Sequence, residues 1–308
     1  MRMQLLTDED VARLPPGTVV AAAREALLRL GEGRLSAPPR VRSRLDGFDL
    51  VFTVGAVVGG VSGFRCYRAG EPAGDQLTAI WDEGGRLVGV VAGDELGARR
   101  AGGLGAVAAD ILARADAERV AVIGSGAQAW AQLWALTAVR RLRHVRVYSP
   151  TEHRRNAFAD RARDELGLSA EAVSGPSAAL PGADIVIRAT RSARPVIDAR
   201  EVPAGAHVTT VGPKFADAHE TPVELIDAAA VVTCDSPGQA AAYPEPFFTA
   251  PEQLTGLADV MLGRAPGRRH ERDITVHCSV GLAGSEVILA ERLLRPAESG
   301  IPEDQGER

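Results

Sequence analysis

The chain has 308 residues, of which 45% are hydrophobic and 24% are charged, and 35 basic against 40 acidic side chains give a net charge of −5. This length suffices for one large or two modest domains with a buried core. The mildly acidic balance excludes the basic surface typical of nucleic-acid binding, so no nucleic-acid partner is expected. Lys214 is the one lysine, and every other basic residue is arginine.

The cysteines and the N-terminus predict a cytoplasmic protein. Cys66, Cys234 and Cys278 are widely spaced, odd in number and without zinc-binding spacing, which indicates a reducing compartment and no metal site. The N-terminal segment has acidic residues in place of the apolar core of a signal peptide. No stretch approaches the 18 uninterrupted apolar residues of a membrane span, so no membrane association is expected.

The first third of the chain predicts helices followed by an antiparallel sheet. Thr7 is the predicted cap of a short helix, and helical spacing continues to about Arg34. Residues 38–91 form short apolar runs separated by Gly and Pro, with a hairpin at residues 83–85. Asp94 is then the predicted cap of a helix whose interior is almost entirely small residues, which indicates close packing against another backbone.

The remainder predicts a parallel sheet covered by helices on both faces. Compact apolar runs at residues 119–124, 145–149, 184–190, 206–212 and 230–235 alternate with helical patterns, as in βαβ units. A further run, DITVHCSVG, precedes an amphipathic helix, AGSEVILAERLLR.

The clearest motif is the GxGxxA sequence that follows the first of these strands and opens a helix. Gly124 permits the tight turn, Gly126 lets the backbone approach a pyrophosphate, and Ala129 allows close packing of helix on sheet. The helix N-terminus offers free N–H groups to phosphates. We therefore predict a dinucleotide site whose residues are Gly124, Ser125, Gly126, Ala127, Gln128 and Ala129.

The end of the second strand bears on which dinucleotide is bound. An acidic residue there would bind the ribose of NAD, but this strand ends at Ser149 and is followed by Thr151 and Arg154. Hydroxyls and arginines suit a 2′-phosphate, so Ser149, Thr151 and Arg154 favour NADP(H) over NAD(H). Glu152 lies nearby, and solvent-exposed arginines are an alternative interpretation.

Taken in order, the motifs LLTDEDVARL, PPR, GFR, RRAGGLGAVAADILA, GSGAQA, DIVIRATRS, TTVG and CSVGLAGSEV resemble the ornithine cyclodeaminase/mu-crystallin family nearly end to end. The resemblance implies an α/β fold in which a Rossmann dinucleotide-binding domain, residues 116–281, is inserted in a split α+β domain. That second domain, for substrate binding and dimerisation, would comprise residues 1–115 and 282–308. A homodimer is the expected assembly.

The same resemblance implies three side chains around an amino-acid carboxylate, at Arg40, Arg65 and Arg100, with the nicotinamide near Thr190, Gly212 and Ser279. Arg65 stands where the family has lysine. A buried lysine can pass protons, whereas arginine stays charged and only donates hydrogen bonds. Arg65 is therefore expected to hold a carboxylate or developing negative charge rather than act as an acid–base group.

A second departure concerns the loop after the fifth Rossmann strand. By the resemblance, Lys214 occupies the position where cyclodeaminases have an aspartate for the substrate's second amine, and Asp217 matches a P-D segment of other members. We expect Lys214 to face the substrate and Asp217 to be a candidate proton donor, beside water or an already protonated iminium.

These features favour an NAD(P)H-dependent oxidoreductase that acts on a small α-imino or α-amino acid. The catalytic candidates are Arg65, Arg100 and Asp217. Two alternatives remain: a cyclodeaminase-type lyase that uses bound NAD, and a protein that binds NADP(H) and a carboxylate but has lost catalysis.

Overall fold

The computed structural model describes residues 3–69, 75–243 and 246–294, and these form two sheets with helices packed on them. The first sheet comprises β1 (Gln4–Leu6), β2 (Leu35–Ser36), β3 (Val41–Leu45), β4 (Phe48–Val57), β5 (Ser62–Ala69), β6 (Gln76–Trp81) and β7 (Leu87–Ala92). The second comprises β8 (Arg119–Ile123), β9 (His144–Tyr148), β10 (Ser169–Ala172), β11 (Ile185–Arg188), β12 (His207–Thr210), β13 (Val231–Cys234), β14 (Thr255–Gly256) and β15 (Thr275–Cys278). The helices are α1 (Asp8–Ala12), α2 (Pro16–Gly31), α3 (Glu95–Leu112), α4 (Ala127–Leu136), α5 (Glu152–Leu166), α6 (Pro176–Ala179), α7 (Val223–Ala228), α8 (Pro237–Ala241), α9 (Leu257–Met261) and α10 (Ser285–Leu294).

The first sheet is antiparallel except at one edge. Its order is β1-β7-β6-β5-β4-β2, with β3 also paired to β4 and β1 running parallel to β7. The predicted hairpin at residues 83–85 joins β6 to β7. Helix α10 packs against α2, α3 and strands β4–β6, which brings the end of the described chain back to the first sheet.

The second sheet is parallel throughout, with the order β10-β9-β8-β11-β12-β15-β13-β14. The chain leaves β8 toward β9 on one side and returns at β11 on the other, so the direction of winding reverses between β8 and β11. Dinucleotides bind at such a point, outside the carboxyl ends of the strands. The predicted Rossmann architecture is confirmed, although strands β10 and β14 were not among the predicted ones.

The small-residue helix α3 lies between the two sheets. A Cβ atom at Gly102 would lie 2.3 Å from the carbonyl oxygen of Ala131 in α4, and one at Gly103 would lie 3.0 Å from Val19 in α2. Larger side chains would hold these helices apart, so the close packing explains why α3 consists largely of small residues. The hydrophobic core on this side runs continuously from α2 through α3 to α4.

Of the two predicted helix caps, the one for α3 is wrong, because a side chain from another segment caps that helix. Thr7 precedes α1, and its backbone N–H donates to Asp10 Oδ2 at 2.9 Å in a capping box, as expected. Asp94 occupies the cap position of α3 but makes no capping hydrogen bond. The carboxylate of Asp8 does so instead, and accepts the N–H groups of Asp94 and Glu95 at 3.2 and 2.9 Å.

No helix of the described residues is both long and apolar enough to cross a membrane. The division at residues 115/116 and 281/282 remains a prediction, and its final part, residues 295–308, lies outside the described residues.

Candidate active site

The turn between β8 and α4 has the geometry that a pyrophosphate site requires. Gly124 has φ +119°, and a Cβ there would lie 2.3 Å from the carbonyl oxygen of Ala189, so only glycine fits. At Gly126 a Cβ would meet nothing within 4 Å, because this residue borders open space in front of the helix. Ala129 is fully buried, whereas Gln128 Oε1 is buried without a hydrogen-bond partner. The turn therefore fits a bound dinucleotide phosphate.

The end of β9 lies beside this turn. The hydroxyls of Ser125 and Ser149 are 2.9 Å apart, and Ser149 Oγ also donates to the carbonyl of Thr151 at 3.3 Å. Arg155 donates to the Ser149 carbonyl at 3.2 Å, whereas Arg154 lies exposed in the first turn of α5. Ser149 and Thr151 are thus adjacent to the phosphate turn, and Arg155 supports the strand end.

The three predicted arginines converge from three different elements. A Cβ at Gly281 would lie 3.0 Å from Arg100 Nη1 and 3.4 Å from Arg40 Nη2, so both guanidinium groups reach this turn. Arg40 donates to the Val280 carbonyl there. Arg65, on β5, donates from Nη1 to Gln76 Oε1 at 2.7 Å. Among the described residues, the Nε atoms of all three are buried without a hydrogen-bond partner, so each guanidinium group keeps an unsatisfied donor.

Burial and mutual repulsion act on the charges of this cluster. Arg65 is 6% exposed and Arg100 is 8% exposed. Burial and the nearby charges of Arg100 and Arg40 lower the pKa of Arg65 to about 10, although Glu286 opposes this. Arg65 therefore remains a cation at neutral pH. It is also 4.6 Å from the ring centroid of Tyr67, which supports the guanidinium by a cation–π contact.

Two buried acids, which the sequence analysis did not include among the site residues, accept hydrogen bonds from segments around the site. Glu286 at the start of α10 is fully buried and accepts a hydrogen bond from Thr53 of β4. Asp235 accepts the N–H groups of Val280 and Gly281 at 2.9 and 3.0 Å, which fixes the turn that Arg40 and Arg100 approach. Glu286 lies in the amphipathic helix that the sequence predicts, and Asp235 carries no signal in the sequence beyond its position at a strand end.

Glu220 joins the ends of β11 and β12. Its carboxylate accepts from the backbone and hydroxyl of Thr190 at 2.8 and 2.7 Å, from Thr210 Oγ1 at 2.7 Å and from Gly212 N at 2.7 Å. Ser279 lies at the end of the neighbouring strand β15 and hydrogen bonds to Asp235. The residues expected near the nicotinamide, Thr190, Gly212 and Ser279, are therefore held at one edge of the sheet.

The loop after β12 carries Lys214 and Asp217, the two residues predicted to act on the substrate. The Lys214 side chain is 1% exposed, and its Nζ donates to the Gly212 carbonyl at 2.7 Å. Burial lowers the pKa of Lys214, and Glu220 opposes that shift. Asp217 lies exposed at the far end of the loop. Their roles in substrate binding and proton donation remain predictions.

Arg188 at the end of β11 is a functional candidate that sequence reasoning missed. It is fully buried, and none of its three guanidinium nitrogens has a hydrogen-bond partner in the part of the chain that the structure describes. Burial lowers its pKa to about 10, and Glu220 opposes this. In the sequence, Arg188 lies inside an apolar strand, and nothing there indicates that its charge is buried at the site.

Comparison with known proteins places this geometry in a family. The profile of the ornithine cyclodeaminase/mu-crystallin family matches residues 16–299. An NAD(P)H-dependent anabolic L-arginine dehydrogenase of Pseudomonas aeruginosa is 37% identical over 203 residues, which are 63% of each chain. The alignment thus spans slightly less than two thirds of that relative.

A Δ1-pyrroline-2-carboxylate reductase of Bacillus cereus is 31% identical over 228 residues, which are 71% of this chain and 70% of the relative. Among solved structures, the Δ1-pyrroline-2-carboxylate reductase of Thermococcus litoralis in complex with NADH and L-proline has a TM-score of 0.88. It is 24% identical and covers 95% of this chain and 97% of its own, which confirms the fold. The chain therefore belongs to the ornithine cyclodeaminase/mu-crystallin family.

Proposed function

We propose that this chain is an NAD(P)H-dependent oxidoreductase that reduces the C=N bond of a small α-imino acid, or oxidises the corresponding α-amino acid. The cluster of Arg40, Arg65 and Arg100 carries this proposal, since their buried Nε donors suit a carboxylate. Within it, the guanidinium groups of Arg40 and Arg100 meet at the turn of Gly281. The activities named for the two curated relatives, an arginine dehydrogenase and an imine reductase, support the same reaction class.

The cofactor would lie along the carboxyl edge of the parallel sheet. Its phosphates would be held by Gly124, Ser125, Gly126, Ala127, Gln128 and Ala129, and its nicotinamide end by Thr190, Gly212 and Ser279. We favour NADP(H) over NAD(H), with Ser149, Thr151 and Arg154 around a 2′-phosphate. When bound, the reduced cofactor supplies a hydride, which brings to the imine carbon one hydrogen and the two electrons of the reduction.

The protein's own contribution is to bind and orient the substrate. Arg40, Arg65 and Arg100 hold the carboxylate so that the adjacent imine carbon faces the sheet edge, and such orientation is a large part of the barrier that an enzyme can remove. Arg65 remains charged and does not give up a proton.

The proton that balances the reaction ends on the substrate nitrogen. Asp217 is exposed at the end of its loop, and Lys214 is buried against the Gly212 carbonyl. We therefore infer that the substrate enters as a protonated iminium, with solvent as the source of the proton, and that Asp217 is the alternative donor. Imine, proton and reduced cofactor then give the amine and the oxidised cofactor.

The outer face of the first sheet supports a homodimer. Val54 of β4 and Leu77 of β6 are 44% and 40% exposed, and Val41 of β3 is 56% exposed. Large apolar side chains in one exposed sheet face mark an interface. Under this proposal residues 1–115 and 282–308 serve substrate binding and dimerisation, and residues 116–281 serve cofactor binding. The unpaired Cys66, Cys234 and Cys278 support a cytoplasmic location.

The decisive experiment measures oxidation of NADPH and of NADH by the purified protein across cyclic and linear α-imino acids. We expect turnover that Arg100→Met abolishes and that the exposed-site variant Arg44→Met retains. No oxidation with any imine would overturn the proposal. Ammonia release from ornithine or lysine without net change in reduced cofactor would indicate the cyclodeaminase reaction instead.

A further inference from the structure

We propose that the substrate carries an aromatic side chain, which occupies the cavity that Arg40 shares with the rings of Phe215 and Tyr243. This inference rests on the proposed function and names the substrate class of the same site: the imine of a 3-aryl-2-oxopropanoic acid, or the corresponding aromatic α-amino acid. The carboxylate of this substrate binds the arginine cluster, and its ring occupies the cavity.

The cavity adjoins the arginine cluster, because Arg40 belongs to both. The guanidinium group of Arg40 meets that of Arg100 at the turn of Gly281. The same arginine lines a cavity of about 130 Å³, whose other lining residues come from β3, the end of α8 and the loop after β12: Arg42, Phe215, Gln239, Ala242 and Tyr243. A substrate whose carboxylate binds Arg40 can therefore extend its side chain into this cavity.

The volume of the cavity fits one six-membered ring. An engineered apolar cavity of about 150 Å³ holds one benzene molecule, and 130 Å³ is close to that volume. A methyl side chain would leave most of the space without contacting atoms, and each missing contact forfeits dispersion attraction. The size of the cavity thus favours a ring over a small aliphatic group.

Two aromatic rings form part of the cavity wall. The ring centroids of Phe215 and Tyr243 are 5.5 Å apart, and the ring planes are inclined at 55°. Tyr243 in turn contacts Phe247 edge-on at 5.2 Å. Aromatic rings attract one another in tilted or edge-on arrangements with centroids about 4.5–7 Å apart. A substrate ring in the cavity can therefore join an existing group of tilted rings.

Backbone hydrogen bonds hold together the two loops that carry these rings. The N–H of Ala216 donates to the carbonyl of Pro246 at 2.8 Å, and the N–H of Phe248 donates to the carbonyl of Lys214 at 3.0 Å. The wall is therefore formed before a ligand binds. Preorganisation of this kind reduces the entropy that binding must remove.

The polar groups around the cavity already have partners. Gln239 Oε1 accepts the backbone N–H of Arg40 at 2.8 Å, and Arg42 pairs with Asp49 at 3.4 Å. A guanidinium group that is engaged at its edge can still present its flat face to a ring, and arginine stacks on aromatic faces. The two arginines thus suit an aromatic neighbour as well as the two rings do.

The charges around the cavity disfavour a cationic side chain. Among the lining residues, which all lie in the described part of the chain, two are arginines and none is an acid. Burial raises the pKa of Tyr243 to about 12, so its phenol is neutral and supplies no negative charge. A guanidinium or ammonium group in the side chain would therefore be repelled.

The reaction balances with ammonia as the co-reactant. The 2-oxo acid and ammonia lose water to form the imine. The imine, a proton and the reduced cofactor then give the aromatic amino acid and the oxidised cofactor.

The first test is binding, because it does not depend on turnover. Titration calorimetry of the purified full chain compares propanoate, 3-phenylpropanoate and 3-cyclohexylpropanoate, which share one carboxylate and differ in the side group. We expect 3-phenylpropanoate to bind at least about 10-fold more tightly than propanoate, as burial of one ring predicts. It should bind at least about 3-fold more tightly than the cyclohexyl acid, through the contacts that only an aromatic ring makes.

Two variants locate the bound ring. Phe215→Leu and Tyr243→Leu each keep an apolar wall and remove one aromatic ring. Each should lower the preference for 3-phenylpropanoate over propanoate by about 3-fold, while propanoate affinity is unchanged. Phe48→Leu makes the same substitution at a half-buried ring of β4 that contacts Arg68, and should keep the preference. Thermal unfolding verifies that each variant is folded.

Equal affinity of the unaltered chain for propanoate and 3-phenylpropanoate overturns the cavity site. Equal or tighter binding of the cyclohexyl acid overturns the aromatic specificity. An unchanged preference in the folded Phe215→Leu and Tyr243→Leu variants shows that the ring binds elsewhere, and this also overturns the inference.

Cofactor oxidation separates this inference from the proposed function. With ammonium, phenylpyruvate should be reduced with a higher kcat/KM than pyruvate. A higher value with pyruvate or with Δ1-pyrroline-2-carboxylate overturns the inference and leaves the proposed function intact. Tight binding of 3-phenylpropanoate without turnover of any imine overturns the proposed function and retains the aromatic site.

Discussion

Glu220 accepts the backbone N–H of Gly212 at 2.7 Å, so a carboxylate eight residues later in the chain closes the loop that follows β12. The same carboxylate accepts the backbone N–H of Thr190 at 2.8 Å from the end of the neighbouring strand β11. A buried acid therefore fixes both strand ends at which the nicotinamide is expected to lie. Burial raises the pKa of Glu220, but Arg188, Lys214 and its hydrogen bonds outweigh this and hold it below its usual value.

Glu220→Gln tests this arrangement. The amide replaces one acceptor oxygen with a donor that faces N–H groups, and it removes the negative charge near Arg188 and Lys214. We expect the free energy of unfolding at pH 7 to fall by about 2–3 kcal/mol, the contribution of a hydrogen bond to a charged group together with its desolvation. Denaturant unfolding measures the change.

The matched control for that variant is Glu224→Gln, which alters an exposed acid in the next helix, α7. It should change stability by less than about 0.5 kcal/mol. If both variants unfold at the same denaturant concentration, Glu220 does not hold the two strand ends together.

The two glycines of the phosphate turn should respond differently to a methyl group. Gly126→Ala places its Cβ in open space, so the melting temperature should be unchanged. The methyl group should keep the phosphate away from the backbone N–H, so the dissociation constant for NADPH should rise by about 10-fold, as loss of one hydrogen bond predicts. Gly124→Ala should instead destabilise the fold, because φ +119° and a 2.3 Å contact with Ala189 O exclude a side chain. Thermal unfolding and cofactor fluorescence measure the two effects. Equal loss of stability in both variants would contradict the proposed phosphate approach at Gly126.

Cofactor choice depends on Arg154 under the proposed function. Arg154→Gln should raise the dissociation constant for NADPH by about 10-fold, as loss of one charge-assisted hydrogen bond predicts, and leave that for NADH unchanged. Arg161→Gln, two turns along the same helix, removes an arginine that pairs with Glu165 and should affect neither cofactor. A parallel loss of affinity for both cofactors would show that Arg154 does not recognise the 2′-phosphate.

The sequence predicts well wherever a local pattern determines the structure. The turn at Gly124 is one example, because strand, glycine spacing and helix are contiguous, and only glycine can adopt that backbone conformation. The apolar runs of β8, β11 and β12 are another, since both faces of each strand are buried. Strand β10, with the sequence SAEA, was not predicted because it lies at the sheet edge, alternates exposed residues and lacks that apolar pattern.

Contacts between distant residues explain the remaining differences. Asp8 caps α3 from a position 86 residues before Asp94, and no local signal distinguishes it from an exposed acid. Arg188 lies within an apolar strand, where only the folded chain reveals that a cation is buried near Glu220.

Two buried histidines in the second sheet should make stability depend on pH. His277 Nδ1 lies 3.0 Å from Thr233 Oγ1, and burial lowers the pKa of His277 to about 4. His207 lies between Thr275 and Thr209, and burial lowers its pKa well below the usual value. Both are therefore neutral in the folded protein, whereas in the unfolded chain they bind a proton below about pH 6.5. The unfolded state binds more protons in this range, so stability is fully present above pH 6.5 and is lost as pH falls toward 4.

The measurement is the free energy of unfolding between pH 7 and pH 5, and each histidine should contribute a slope of about 1 kcal/mol per pH unit in the lower half of that range. His277→Asn keeps a polar group near the Nδ1 position and removes the titrating ring. Whatever the effect of this variant on stability at pH 7, the slope of its free energy of unfolding against pH should be lower by about 1 kcal/mol per pH unit, the contribution of one histidine. His153→Gln changes an exposed histidine at the start of α5 and should leave the slope as in the unaltered chain. An unchanged slope in His277→Asn would mean that His277 titrates alike in the folded and unfolded states, which is incompatible with its burial against Thr233.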